Sequence, residues 1–207
     1  MKVLYALGAV GPLVFLASVL LGSAQRPGFS HLADPVSVLG MSGAPGSGAV
    51  NSAWAISGLL ISLLGAALWI DRSGPGRPTA AAVLIAGLCS AAIAIWCPMD
   101  PPGVPMSNAQ LGHNILVAVS GLAFATALVL SARAPAAMPG YRTFTWLALT
   151  AMVSGGFGAA LSGAAGWNLV GLFERVTQSG YQSWIVATAL TGLTRLWRKP
   201  SSRSQRS

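Results

Sequence analysis

Charged residues are scarce in this chain, and acidic residues are scarcest. The 207 residues include 12 lysines and arginines but only 4 aspartates and glutamates. A soluble domain normally carries about 25% charged residues, whereas this chain carries 8%. A solvated globular surface cannot be built from so few charges. With 54% of its residues hydrophobic, the composition is typical of a polytopic membrane protein folded as a single domain.

Several functional motifs are also absent. No phosphate loop, dinucleotide fingerprint, haem motif, kinase motif or nucleophile elbow occurs, so we predict no cofactor. The histidines lack HxxxH or HExxH spacing, which leaves a His/carboxylate metal site as a minor alternative. The net charge of +8 does not predict a nucleic-acid partner, because the basic residues are scattered through short loops and a tail. If the two cysteines, Cys89 and Cys97, lie on one helix, they are about 12 Å apart along its axis, which is too far for a disulfide.

Long apolar runs are what the chain does contain. Each is near the roughly 20 residues that a helix needs to cross a bilayer, and none alternates with a period of two as a strand would. The predicted fold is therefore all-α, a bundle of six transmembrane helices over residues 1–197, followed by a basic tail over 198–207. The six predicted spans are about 4–21, 50–70, 79–96, 111–130, 144–165 and 181–197.

The first run also resembles a cleavable signal peptide. Lys2 precedes the apolar stretch, and small residues at Gly22, Ser23 and Ala24 follow it. The stretch is longer than a typical signal core and contains Pro12, so a retained helix is the preferred interpretation. The alternative stays open from the sequence alone.

Lysine and arginine predict the orientation, since loops rich in these residues remain in the cytoplasm. If the chain crosses the membrane six times, ten of its twelve lysines and arginines fall on the side that holds the N-terminus, here called the near end. Arg26 and Arg175 fall on the opposite side, here called the far end. Both termini are therefore expected in the cytoplasm. The ten near-end residues are Lys2, Arg72, Arg77, Arg133, Arg142, Arg195, Arg198, Lys199, Arg203 and Arg206.

The titratable groups show the opposite distribution. Both histidines and three of the four acids fall at the far end, and only Asp71 falls at the near end. The far-end connections are also the longer ones. We therefore expect a polar pocket beneath the far-end loops. Its predicted residues are Asn51, Asp100, His113 and Glu174, with His31 and Asp34 above it and Arg175 as a further binding residue.

The second far-end loop places His113 close to the membrane interface. Pro101, Pro102 and Pro105 exclude a regular helix in this loop. Ser107 and Gln110 form a predicted capping box, in which the glutamine side chain reaches back to the capping residue. His113 then lies nearly two turns into the fourth helix, where an ionisable group is a functional candidate.

Each candidate also has a structural interpretation. His113 would bond to a loop carbonyl, Asp100 would cap a turn, Asp34 would cap a helix that begins with Pro35, and His31 would be a solvated loop residue. Asn51 is expected to bond across to another helix. Glu174 and Arg175 are expected on a short amphipathic helix that lies on the far surface, separate from the sixth span. Because adjacent residues do not face each other on a helix, each of these two needs its own partner.

Two neighbouring helices are expected to approach closely along the fifth run. Ser154, Gly158 and Ser162 recur at four-residue spacing within an apolar stretch. Small residues at this spacing are typical of a close helix–helix contact in membranes.

Several segments, taken in order, resemble a bacterial membrane-protein family catalogued as domain of unknown function nine-nine-eight. They are FSHLADPVSVLG and the asparagine of the second helix, then CPMDPPGV, LGHNILVAVSG and GLFERV. The resemblance covers nearly the whole chain and implies a six-helix protein of the bacterial cytoplasmic membrane, but it implies no reaction. Cys97 departs from the family pattern, which often has phenylalanine there. The matching residues are Ser37, Leu39, Gly40, Asn51, Pro98, Asp100, His113, Gly171, Leu172, Glu174 and Arg175.

Three classes of function agree with these observations. In the first, the far-end pocket binds a lipid or another small hydrophobic molecule. In the second, the protein is a membrane-embedded enzyme, in which Asp100 or Glu174 protonates an isoprenoid or lipid and His113 acts as base. In the third, it is a structural or regulatory partner of another membrane protein. The sequence predicts membrane lipids as partners and leaves both catalysis and the oligomeric state undecided.

Overall fold

The computed structural model describes residues 1–134 and 138–198, which form six long helices. A short 3₁₀ helix, Val36–Gly40, lies between the first two. The predicted tail, apart from Arg198, lies outside the described residues. The six helices are α1 Lys2–Ala24, α2 Ser47–Ile70, α3 Arg77–Trp96, α4 Asn108–Arg133, α5 Tyr141–Ala164 and α6 Val170–Arg198.

The all-helical class is confirmed. Five helices, α1 to α5, are long and apolar enough to cross a membrane, as judged by length and composition. The sixth helix is longer than any of them but is not among these candidates, because it carries many polar residues, of which Gln182, Thr188 and Thr191 are buried.

The expectation of a separate surface helix around Glu174 is wrong. Glu174 and Arg175 lie in the second turn of α6, which continues without interruption for 29 residues. At 1.5 Å per residue it is about 43 Å long, whereas the hydrocarbon core of a bilayer is about 30 Å thick. Gly180, which falls in the expected break, instead allows contact with α5, because a Cβ there would lie 2.6 Å from the carbonyl oxygen of Ala148.

The helices form a ring in which each packs on its neighbours in the chain and α6 closes the ring against α1. Glycines permit the close approaches. A Cβ on Gly58 of α2 would lie 2.7 Å from the carbonyl oxygen of Gly87 of α3, and the converse distance is also 2.7 Å. The two backbones therefore touch directly, as small residues allow in membrane helices.

The small-residue face of α5 differs from the expected one. Ser154 is exposed, whereas Gly155 faces α6, and a Cβ there would lie 2.5 Å from the backbone nitrogen of Thr177. Gly158 packs on the ring of Phe173, and Ser162 is fully buried. An α-helix has 3.6 residues per turn, so residues on one face are three or four positions apart. Gly155 can therefore share a face with Gly158 and Ser162 in place of Ser154.

The centre of the ring is filled by side chains. Trp184 and Tyr5 have no exposed surface, and Phe124 stacks on Tyr181 with 4.4 Å between ring centroids. A second, smaller apolar cluster lies at the far end, where Val19, Val36, Leu39 and Val50 are buried. Phe15, Phe29 and Trp54 pack against this cluster.

Candidate functional site

The connection between α1 and α2, residues 25–46, crosses the far end and is here called the strap. It is bound to the start of α6 by backbone hydrogen bonds. The N–H groups of Gly171 and Leu172 donate to the carbonyl oxygens of Ala33 and Leu32, at 3.3 and 2.9 Å. The first N–H groups of a helix have no partner within it, so the strap satisfies two of them.

Glu174 and Arg175 bind the strap with separate partners. Glu174 Oε2 accepts a hydrogen bond of 2.6 Å from the N–H of Val36, where the 3₁₀ helix begins. Arg175 Nη1 donates to the carbonyl oxygens of Asp34 and Gly171, at 3.2 and 2.8 Å. Gly171 has no room for a side chain, because a Cβ would collide with the Asp34 carbonyl.

Asn51 binds the other end of the strap, at the last residue of the 3₁₀ helix. Its Nδ2 donates to the carbonyl oxygen of Gly40 at 2.9 Å. A Cβ on Gly40 would collide with Asn51 and with the ring of Trp54. Arg26, one of the two far-end arginines, donates to the carbonyl oxygen of Val38 at 2.6 Å. Both far-end arginines therefore bind strap carbonyls.

The second far-end loop is held by His113 and Asp100. His113 is 9% exposed, and its Nδ1 lies 2.8 Å from the carbonyl oxygen of Cys97. Because a carbonyl only accepts, we assign the proton to Nδ1. The Asp100 carboxylate accepts from the N–H of Ser107 at 2.7 Å and from its hydroxyl at 2.9 Å.

Only one of the two hydrogen bonds of the predicted capping box is present. The Ser107 hydroxyl does accept from the N–H of Gln110, at 3.1 Å. The Gln110 side chain, however, accepts from the N–H of Asp100 at 2.9 Å. Asp100 already occupies the N–H of Ser107, so the glutamine cannot take the position that the motif assigns to it.

The structure thus places the predicted site residues at the far end, where, in the described part of the chain, the side chains of all but His31 form hydrogen bonds with one of two connections. Asn51, Glu174 and Arg175 bind the strap, while Asp100 and His113 hold the second loop. Asp34 lies within the strap, where its carboxylate accepts from the N–H of Ser30 at 2.7 Å and does not cap the 3₁₀ helix as expected. One backbone hydrogen bond of 2.9 Å, from Ser42 N–H to the Met99 carbonyl, joins the two connections. His31 is exposed beside Phe29, with 5.3 Å between ring centroids.

Two buried donors at the far end have no hydrogen-bond partner within the described residues: Trp54 Nε1 and Arg175 Nη2. Both belong to the surroundings of the small apolar cluster. Trp54 is half-buried and stacks on Phe15, with 5.9 Å between centroids. The Arg175 guanidinium lies over the ring of Phe29, at 5.5 Å. Both donors therefore adjoin aromatic rings that pack against the small apolar cluster or stack on one that does.

The residues that bind the strap and the second loop include most of those on which the family resemblance rests. A family model described as Protein of unknown function (DUF998) matches residues 9–191. The chain belongs to this family. Neither the curated proteins nor the solved structures contain a match.

A second polar group lies at the near end and includes none of the DUF998 resemblance residues. Asp71 is 3% exposed and follows the last residue of α2. Its carboxylate accepts from the Tyr5 hydroxyl at 2.9 Å and from Ser73, and it lies 3.6 Å from the Arg195 guanidinium. Arg195 also donates to the Ser73 carbonyl. This group joins α1, α2 and α6.

The sequence analysis missed this near-end group. The only signal was that Asp71 is the single acid among the basic residues there. Burial alone would raise the pKa of the Asp71 carboxyl, but hydrogen bonds from Ser73 and Tyr5 and the Arg195 charge lower it below its ordinary value. Asp71 is thus a buried anion held by its partners.

Two openings lie beside this near-end group. A cavity of ≈ 20 Å³ adjoins Tyr141, whose hydroxyl lies 2.9 Å from the Ser131 hydroxyl and 2.7 Å from that of Thr188. It has room for a single water molecule. A larger, open groove of ≈ 380 Å³ lies between the end of α2 and the start of α3. Within residues 1–134 and 138–198, no three His, Cys, Asp or Glu side chains cluster as metal ligands would.

Proposed function

We propose that this chain is a multi-pass protein of the bacterial cytoplasmic membrane that binds a lipid or another amphipathic molecule beneath the strap. Both termini would lie in the cytoplasm, because ten of the twelve lysines and arginines belong to the near end. The binding site would then face the extracytoplasmic side.

The observation that carries this proposal is the pair of buried donors at the far end. A buried N–H group without a partner costs about 1–3 kcal/mol, and more when it is charged. Of the five buried side-chain atoms that lack a partner within the described part of the chain, Trp54 Nε1 and Arg175 Nη2 are the two donors at the far end. An acceptor atom on a ligand, such as a phosphate or carbonyl oxygen, would satisfy them.

The surroundings of these donors suit the apolar part of such a ligand. Phe15, Phe29 and Trp54 pack against the buried far-end cluster and are themselves half-buried. Small-molecule sites are mostly apolar, with a few placed polar groups that orient the ligand. A molecule with one polar end and an apolar chain matches this combination.

Acid–base catalysis, the alternative function, has less support. Asp100, His113 and Glu174 each bind a backbone group of a far-end connection. We therefore assign these three side chains to holding the connections in place, and the proposal requires no bond-breaking step.

The test is to extract purified protein with organic solvent and identify the bound molecules by mass spectrometry. Trp54→Phe keeps a ring but removes the donor, so it should lower ligand retention roughly 3–10-fold, as expected for one neutral hydrogen bond. The matched control is Trp146→Phe on α5, where the ring is 41% exposed. Equal retention by wild type, Trp54→Phe and Trp146→Phe would contradict the proposal.

A further inference from the structure

The groove at the near end has the dimensions of a ligand site. Its volume of ≈ 380 Å³ falls within the range of about 300–1,000 Å³ that is usual for small-molecule sites. It lies where α2 ends and α3 begins, far from the strap along both helices. Its walls are formed by Leu68, Trp69, Asp71, Arg72, Gly76 and Arg77.

Two positive charges in this groove are uncompensated. Arg72 and Arg77 are exposed. Neither has a carboxylate partner within residues 1–134 and 138–198, where the salt bridge is formed by Arg195 and Asp71. The Asp71 carboxylate also borders the groove, but it is 2% exposed and already engaged by Tyr5, Ser73 and Arg195. The accessible charge of the groove is therefore positive.

Trp69 sets the position of the groove relative to a bilayer. It lies in the last turn of α2, 46% exposed, and the Arg77 guanidinium lies 5.4 Å from its ring centroid. Tryptophan at the end of an apolar helix is typical of the membrane interface. With Trp69 at that interface, the guanidinium groups of Arg72 and Arg77 would lie at the depth of lipid headgroups.

We infer that this groove binds the headgroup of an anionic phospholipid. Arg72 and Arg77 contact the phosphate, for which the planar guanidinium is well suited. The acyl chains run along α2 past Trp69. Positively charged pockets at the ends of membrane helices are known to bind anionic lipid headgroups. This site is separate from the one proposed beneath the strap, so either can fail without the other.

Native mass spectrometry of the delipidated full-length chain in a neutral detergent tests this inference. The protein is titrated with phosphatidylglycerol and, separately, with phosphatidylcholine of the same acyl chains. We expect a first phosphatidylglycerol to bind more tightly than phosphatidylcholine. Arg72→Gln and Arg77→Gln should each weaken its binding about fivefold, the contribution of one arginine near an anionic surface.

Arg142→Gln is the matched control, because Arg142 is an exposed near-end arginine outside the groove. It should leave the affinity for phosphatidylglycerol unchanged. An equal loss in Arg142→Gln, or no preference for phosphatidylglycerol in wild type, would overturn the inference. Displacement of the lipid by millimolar inorganic phosphate would also overturn it, in favour of a site for the free ion.

Discussion

Glu174 accepts a hydrogen bond of 2.6 Å from the backbone N–H of Val36, a residue 138 positions earlier in the chain. The contact joins the start of the last helix to the strap between the first two. It gives the carboxylate of Glu174 a structural role, since it holds in place the loop that covers the far-end apolar cluster. The first two predictions concern this attachment.

Glu174→Ala should loosen the strap without unfolding the bundle. Hydrogen bonds to charged groups contribute about 1.5–3 kcal/mol, so the Val36 amide should exchange roughly 10–150-fold faster with deuterium. Hydrogen–deuterium exchange with mass spectrometry on the purified protein measures this in peptides that cover the strap. Glu174→Gln keeps an acceptor oxygen and should have a smaller effect. Unchanged exchange in Glu174→Ala would show that the contact does not hold the strap.

Gly171→Ala should destabilise the protein, although alanine favours helices. The new Cβ collides with the carbonyl oxygen of Asp34, and overpacking of this kind costs about 1–3 kcal/mol. Thermal unfolding in detergent measures the loss. The control is Gly156→Ala in α5, where no heavy atom lies within 4 Å of the added Cβ. That substitution should be neutral or stabilising, and equal melting temperatures for the two variants would contradict the strap geometry.

Tyr5→Phe should weaken the near-end group. The substitution removes the hydroxyl that donates to Asp71 and should lower the free energy of unfolding by about 1.5–3 kcal/mol. In an Asp71→Asn background the same change should cost clearly less, because the two side chains interact directly. Denaturation of the four proteins of this cycle in mixed micelles measures the coupling. If the losses of unfolding free energy in the two single variants add up to the loss in the double variant, the Tyr5 hydroxyl stabilises the fold by packing alone.

The same group predicts a pH dependence with a definite sign. The pKa of Asp71 is lowered in the folded protein, so its contribution to stability is complete above the unfolded pKa of about 4. It should decline as the pH falls below that value, through the folded pKa. The stability difference between wild type and Asp71→Asn should therefore be constant from about pH 6 to 8 and shrink in acid. A difference that grows on acidification would contradict an ionised Asp71.

The helical architecture could be predicted from the sequence because bilayer thickness fixes the length of a spanning helix. The N-terminal extension of α6 could not be predicted, because a glycine such as Gly180 is typical of a helix end, whereas here it allows close contact with α5. The far-end location of Glu174 and His113 follows from counting helices. Their hydrogen-bond partners could not be predicted, because contacts such as that of Glu174 with Val36 depend on the path of the irregular strap. Asp71 was overlooked because its partners Tyr5 and Arg195 come from opposite ends of the chain.

A cryo-EM structure of the protein in lipid nanodiscs, with a rigid antibody fragment as fiducial, tests the central claim most directly. The account predicts elongated density beneath the strap, with an acceptor atom within hydrogen-bond distance of Trp54 Nε1 or Arg175 Nη2. If both nitrogens instead bond to protein or ordered water and no such density is present, the proposed binding function is wrong.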